Sequence, residues 1–359
     1  MLLNESHKGN WLSNKIESCK RKLGNAELMN ISNEEDNVRL TIVGPQFFSY
    51  LDAVVSQINA IGIAAQGIDE RGTQSTFIKA VFRLSLLRKF FYFLVKKQHQ
   101  VIIRQVVDFS SSHVLFISPE SVSKSLIKSL RDMGIKVSLY MWDSFDNKPA
   151  ARSCLSYFEN AASFDPLDAK TYQLPLINLF AEDEFFNKEA VLKQRKIDLS
   201  FVGTAHSSRP KILTSLVTNP RFRFLSKKIH LFYGNTYYYI RARLLTWFST
   251  NTPLCNDSIS KLEVAEIFNN SKYILDITHM NQRGLTSRSF EALASGGILI
   301  TNNRWSKKIL HSFSNRIMIY DDIDSLDITK LEWHENVDLD LSYLSIKRFC
   351  NEILRLVLS

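Results

Sequence analysis

Between residues 38 and 320 the chain repeats one pattern: a short apolar run, a turn residue, then apolar positions at helical spacing. Val38–Val43 reads as a strand closed by Gly44-Pro45. Phe48–Ile61 carries Leu51, Val54, Val55 and Ile58 on one stripe and stops at Gly62, which marks a helix. Ile63–Ile68 is the next strand, and a long helical pattern runs from Thr76 to about His99. His113–Ile117, a helix over Ser121–Met133 stopped by Gly134, and the strand Lys136–Trp142 continue the series. Strands alternating with helices argue a parallel sheet covered on both faces.

A second series follows. Asp198–Val202, Ile229–Tyr233, Tyr273–Ile277, Gly297–Thr301 and Arg316–Tyr320 read as strands. Helical stretches lie at Pro210–Val217, Lys261–Asn269, Ser287–Ser295 and Ser306–Phe313. At about 150 residues per domain, 359 residues suggest two domains. The expectation is therefore an α/β protein with two Rossmann-like doubly wound domains facing across a cleft. A polar extension covers 1–37, the first domain 38–165, a linker with Pro166, Pro175 and the polar run Glu182–Lys188 covers 166–197, and the second domain 198–330. Residues 331–359 form a tail helix expected to pack back on the first domain.

No apolar run reaches the roughly 18 residues of a spanning helix. The first residues lack the apolar stretch and cleavage site of a secretory signal, so a cytoplasmic location is expected, with contact at the inner face of the cell membrane left open. Cys19, Cys154, Cys255 and Cys350 are scattered without metal-ligand spacing and read as reduced thiols. The net charge of +9 points to anionic partners without naming one.

The most informative stretch runs from Asp276 to Gly297: a strand, a polar loop, a helix, and glycines turning into another strand. Ligands of open α/β sheets sit beyond the carboxyl ends of the strands, where this loop must lie. Gly284 lets backbone approach a ligand, Thr286 or Ser287 can cap the helix, and the helix N-terminus suits a phosphate. Phe290, Leu293 and Ala294 share an apolar stripe, with Arg288, Glu291 and Ser295 on the opposite side. Glu291 then has two readings, an exposed partner of Arg288 or an acceptor for two ribose hydroxyls.

Gln282–Gly296 followed by Ile298–Thr301 resembles the nucleotide-sugar site of GT-B glycosyltransferases, and is similar to the branch with CgeB-like and lipopolysaccharide or capsule biosynthesis transferases. Leu139–Ser144, Ser163–Ala169, Pro175–Phe180, Phe201-Val-Gly203 and Phe232-Tyr-Gly234 resemble further motifs of that branch. The resemblance implies that Glu291 binds the donor ribose and that Gly284, Leu285 and Thr286 line the diphosphate. It departs from the family in the loop Gly44–Tyr50, which has one glycine, and in offering no clear counterpart of the Arg and Lys that meet the donor phosphates. Arg209, Arg283 and Arg288 are the available substitutes.

Other candidates stand beside their structural alternatives. The Gly203–Arg209 loop is either a phosphate-binding turn or an ordinary connection. Asp143, just past a strand, is either a general base toward an acceptor hydroxyl or a turn cap. His279 either contacts the donor or lines the wall. Asp322-Ile-Asp324 and Asp338-Leu-Asp340 read as loop and tail carboxylates rather than the metal-binding Asp-x-Asp of a GT-A transferase, so neither metal nor cofactor is expected. Phe82–Gln105, rich in Phe, Lys and Arg, is either a core helix with a basic face or a membrane-surface segment. Tyr237-Tyr-Tyr239 beside Arg241 and Arg243 suits stacking on sugars or bases, but no nucleic-acid module accompanies it, and no nucleic-acid partner is expected. The expected partners are a nucleoside-diphosphate sugar and a glycan or lipid-linked glycan acceptor of the cell surface. The alternative is a non-catalytic nucleotide-sugar-binding or assembly protein on the same scaffold.

Overall fold

The computed structural model describes residues 38–45, 50–72, 91–186, 195–279, 282–326 and 340–359. The extension 1–37, much of the loop after the first strand, residues 82–90 of the basic aromatic segment and Asp338 lie outside the described residues.

The first half is built as β1 (Arg39–Gly44), α1 (Tyr50–Ile61), β2 (Ala64–Asp69), α2 (Tyr92–Asp108), β3 (His113–Ile117), α3 (Lys124–Asp132), β4 (Lys136–Met141), α4 (Pro149–Cys154), β5 (Asn160–Ser163) and α5 (Pro166–Thr171). Its five strands are parallel, in the order β2-β1-β3-β4-β5. β3 and the end of β4 are buried throughout, as a sheet covered on both faces requires. Helix α2 runs past His99 to Asp108, because buried Val95, His99, Ile102 and Val106 keep the helical period and no breaker interrupts them.

The second half comprises β6 (Ile197–Thr204), α6 (Arg209–Thr218), β7 (Lys227–Phe232), α7 (Thr236–Leu245), β8 (Leu254–Cys255), α8 (Lys261–Asn269), β9 (Ser271–Asp276), α9 (Ser287–Ala294), β10 (Ile298–Thr301), α10 (Ser306–Ile309), β11 (Ile317–Ile319) and α11 (Ile346–Leu358). Six parallel strands lie in the order β11-β10-β9-β6-β7-β8. Counted from β6, the order runs outward in one direction and then reverses, the doubly wound arrangement of a dinucleotide-type fold. The reversal falls between β6 and β9, which is where such sheets open a ligand crevice.

The halves share a core. Phe180, between Tyr50 of α1 and Phe349 of α11, stacks with ring centroids 6.0 and 4.7 Å away. Tyr140 of β4 meets Phe349 at 5.3 Å, so the last helix rests on the first sheet. The stretch 177–185 belongs to this core: Ile177, Phe180 and Phe185 are buried, and Glu182 pairs with Lys261 of α8 at 2.5 Å.

Candidate functional site

A cleft of about 960 Å³ opens between the two sheets, lined from the first half by Tyr50, Arg71, Glu120, Trp142, Asp143 and Lys148 and from the second by Gly203, His206, Arg209, His279, Thr286, Arg288 and Glu291. The second-half residues stand at the carboxyl ends of β6 and β9, on the reversal of strand order.

Asp276, the last residue of β9, organises this wall. Its fully buried carboxylate accepts from Thr286 Oγ1 and Ser289 Oγ, both at 2.8 Å, and from Arg288 Nη1 at 3.0 Å. Thr286 therefore spends its hydroxyl on the strand instead of on the helix: it occupies the N-cap of α9 without a side-chain cap bond. No side chain caps the first turn of that helix, and although the Ser289 N–H turns back to the Thr286 carbonyl at 3.0 Å, a helix start without a side-chain cap favours a phosphate.

Two guanidinium groups converge over Gly203. A methyl at that position would meet Arg288 Nη2 at 2.9 Å and Arg209 Nη1 at 3.3 Å. Arg209 donates to the carbonyl of Ile277 and to His206 Nε2, at 3.0 and 2.8 Å. Since arginine can only donate, His206 Nε2 accepts and its proton sits on Nδ1, toward Ser207 Oγ. Burial, then Arg209, Arg288, His279 and Arg241, push His206 down to about 3, so it is neutral at physiological pH. Burial and then Arg288 also push Arg209 down to about 9, which leaves it charged. Among the described residues no carboxylate lies within ion-pairing distance of Arg209. The two guanidinium groups share one buried carboxylate, Asp276, and the positive charge left over favours an anion.

Glu291 lies one turn into α9, 6% exposed and on the cleft wall. It does not pair with Arg288, whose partner is Asp276. Instead its Oε1 accepts from Tyr50 Oη at 2.8 Å, across the two halves. Burial raises its carboxyl to about 7, against the lowering effects of Tyr50 and Arg288.

The remaining sequence candidates fall in several places. Gly284 and Leu285 are buried behind the wall and do not line the cleft; a methyl on Gly284 would meet the Phe164 ring at 2.5 Å. The loop closes there against the first half, which is why backbone and not a ligand approaches this glycine. Arg283 is also off the cleft; burial raises the Asp168 carboxyl, and the Phe145 N–H and the Arg283 charge work against that rise. His279 is on the cleft wall. Asp143 lines the opposite wall, with Oδ1 accepting from the Ser144 N–H and from Asn147 Nδ2, each at 2.8 Å. Asp322 and Asp324 do not line the cleft: Asp322 accepts from the Asp324 N–H, and Asp324 holds Ser215 and Asn219. Among the described residues no three His, Cys, Asp or Glu side chains are grouped to hold a metal ion.

Sequence reasoning missed Tyr50 and the first-half cluster of Arg71, Glu120 and Lys148. Glu120 accepts from Arg71 Nε and from Lys148 Nζ, both at 3.1 Å, while Glu70 takes the N–H groups of Glu120 and Ser121. The available signal was position: Glu70-Arg71 and Glu120 lie within three residues of the ends of the strand runs 64–69 and 113–117, as Asp143 does of β4.

Residues 222–336 match a family model described as glycosyl transferase-like. No curated protein matches this sequence. Among solved structures, the fold is similar to the S. aureus MnaA-UDP co-structure, with a TM-score of 0.54 at 9% identity, covering 90% of this chain and 98% of that one. UDP-GlcNAc 2-epimerase from Neisseria meningitidis bound to UDP-GlcNAc gives 0.53 at 11%, covering 88% and 98%. A glycosyltransferase from Rickettsia africae ESF-5 gives 0.50 at 9%, covering 89% and 94%. The chain has the GT-B architecture of two Rossmann-like domains facing across a cleft.

Proposed function

We propose that this protein is a glycosyltransferase that takes a sugar from a nucleoside-diphosphate donor and passes it to a hydroxyl of a cell-surface glycan. The observation that carries the reading is the buried Glu291 carboxyl beside the uncapped start of α9 and the Arg209–Arg288 pair over Gly203. Glu291 would accept the ribose hydroxyls. The N-terminal N–H groups of α9 and the two guanidinium groups would hold the diphosphate and neutralise it as the bond to the sugar breaks. Agreement with a glycosyl transferase-like model over 222–336 supports this assignment, since that span includes β9, α9 and Glu291.

The acceptor would enter against Trp142, Asp143 and Lys148. Asp143 keeps Oδ2 outside the turn that occupies Oδ1, and we place Oδ2 as the base toward the acceptor hydroxyl. Neutral His206 would keep Arg209 aimed across Gly203 while donating from Nδ1 within its own loop.

A thermal-shift panel of UDP-, GDP-, ADP- and CMP-linked sugars tests the donor reading, because a bound ligand raises the melting point by mass action. Donor turnover that disappears in Glu291→Ala supports the enzyme. Tight binding without turnover on any glycan acceptor would leave a nucleotide-sugar-binding protein in its place.

A further inference from the structure

Residues 199–256 contain eight Lys and Arg and no Asp or Glu, so nearly all of the net +9 resides in 58 consecutive residues. Helix α7 lies within them. It buries only Ala242, while Tyr237, Ile240, Arg241 and Leu244 fall at helical spacing on one exposed stripe. The stripe continues into Trp247 and Phe248, which are 93% and 60% exposed.

The backbone makes that exposure an unusual one. Trp247 and Phe248 both take left-handed conformations, with φ of 49° and 57°, at a helix end where glycine is the residue of choice. The turn is nevertheless firmly held. The Phe248 N–H donates to the Arg243 carbonyl at 2.7 Å, and the Arg243 guanidinium returns bonds to the carbonyls of Ser249 and Phe248 at 2.6 and 3.1 Å. Strain is thus accepted at two consecutive aromatic residues to hold them outward, and strain of that kind is kept where it serves a site.

We infer that α7 and the turn after it form a peripheral docking surface for a bilayer of anionic lipids. Trp and Tyr settle at the membrane interface, and Trp247 and Phe248 would insert just below the headgroups. The cations of this acid-free segment would meet the negative headgroups. Ile240 and Leu244 favour this partner over a nucleic acid, because aliphatic chains add nothing to base stacking. A second copy of the chain is disfavoured because a two-fold contact on this face would set like charges against each other. The surface is near the cleft: β7, whose His230 and Phe232 line it, leads directly into α7, and Arg241 contributes to holding His206 neutral. A bilayer seated on α7 would therefore lie beside the cleft, where a lipid-linked acceptor could reach it. The docking itself stands apart from any assignment of the cleft.

Flotation of the full chain with phosphatidylglycerol–phosphatidylcholine vesicles and with pure phosphatidylcholine vesicles tests the proposal. Binding is expected to the anionic vesicles, weakened by salt, and to fall about tenfold or more in Trp247→Gly/Phe248→Gly as two buried aromatic side chains are removed. Glycine adopts the left-handed backbone freely, so this variant should melt no lower than the parent, and lost binding cannot be put down to unfolding. Arg241→Gln should weaken binding without abolishing it. The proposal is overturned if the parent floats with neither vesicle or equally with both, or if the glycine variant binds as the parent does. It also falls if binding is lost only in Tyr92→Ser/Phe93→Ser on α2, or if oligonucleotides compete the protein off anionic vesicles in the parent and glycine variant alike.

Discussion

Tyr50 Oη donates to Glu291 Oε1 at 2.8 Å, and this bond joins the first helix of one half to the site-bearing helix of the other. Glu291 is buried and Tyr50 half-buried, and desolvation raises the Tyr50 phenol well above its ordinary value, with the Glu291 charge adding to the effect. The phenol therefore acts as a fixed donor at any physiological pH. A ligand that engages Glu291 must share its carboxyl with Tyr50 or displace the phenol, so cleft geometry and occupancy are linked through one oxygen atom.

Tyr50→Phe should cost about 1–3 kcal/mol, the penalty for leaving a buried acceptor without its donor. Urea unfolding at a fixed pH reads the loss. Because Tyr50 helps to lower the Glu291 carboxyl, the variant should also titrate Glu291 at higher pH than the parent, visible by side-chain carboxyl NMR. An unchanged midpoint in both measurements would mean that water replaces the phenol without loss.

Glu291 should make stability fall as pH rises. Its folded value of about 7 lies above its ordinary 4.5, so between those values the folded chain binds more protons than the unfolded one. Stability attributable to this group is then fully present below about 4.5 and is lost as pH rises through about 7. The difference corresponds to roughly 3 kcal/mol. Glu291→Gln cannot ionise, so its melting point should gain on the parent from pH 5 to pH 8, with the gap widest at the alkaline end. A constant gap across that range would contradict the raised carboxyl.

Gly284→Ala should destabilise by about 1–3 kcal/mol through overpacking, since the new methyl meets the Phe164 ring at 2.5 Å. Phe164 belongs to the segment after β5 and Gly284 to the loop before α9, so the clash falls where the halves meet. Phe164→Leu in the same chain should recover much of the loss. If Gly284→Ala leaves stability unchanged and impairs nucleotide binding alone, Gly284 contacts ligand directly.

The parallel sheets and the Asp276–Gly297 strand–loop–helix were legible because apolar runs and helical spacing mark them: β3 is apolar after His113, and Phe290, Leu293 and Ala294 share a stripe of α9, although Ser289, Glu291 and Ala292 are buried as well. β5 was hidden because Asn160–Ser163 has no large apolar residue to announce a strand. Helix α7 was hidden for the opposite reason: its large apolar residues face outward, and the one buried position is an alanine. At the site, the convergence of Arg209 and Arg288 on Gly203 and the partnership of Tyr50 with Glu291 depend on residues far apart in the chain. Local pattern fixes which face a residue takes, but not which distant residue will meet it. Asp276 is the intermediate case, a carboxylate at the end of an apolar strand whose importance follows from the Thr286, Arg288 and Ser289 donors ten to thirteen residues later.

Arg209→Gln should separate phosphate recognition from base and ribose recognition. The parent holds this cation buried beside Arg288, with no carboxylate in ion-pairing distance among the described residues and with Asp276 already paired to Arg288, so a diphosphate would add countercharge. Charge-assisted hydrogen bonds contribute about 1.5–3 kcal/mol, or roughly ten- to hundredfold in affinity. Calorimetry with the nucleoside diphosphate of the base chosen in the donor panel should show a loss of that size in Arg209→Gln. The matching nucleoside, which lacks phosphate, should bind both proteins alike. The salt dependence of diphosphate binding should also flatten, because one of the cations that salt screens has been removed. Equal losses for nucleoside and nucleoside diphosphate would show instead that Arg209 serves the architecture of the β6 loop through its bonds to Ile277 and Thr204, and the phosphate site would have to be sought around Arg288 alone.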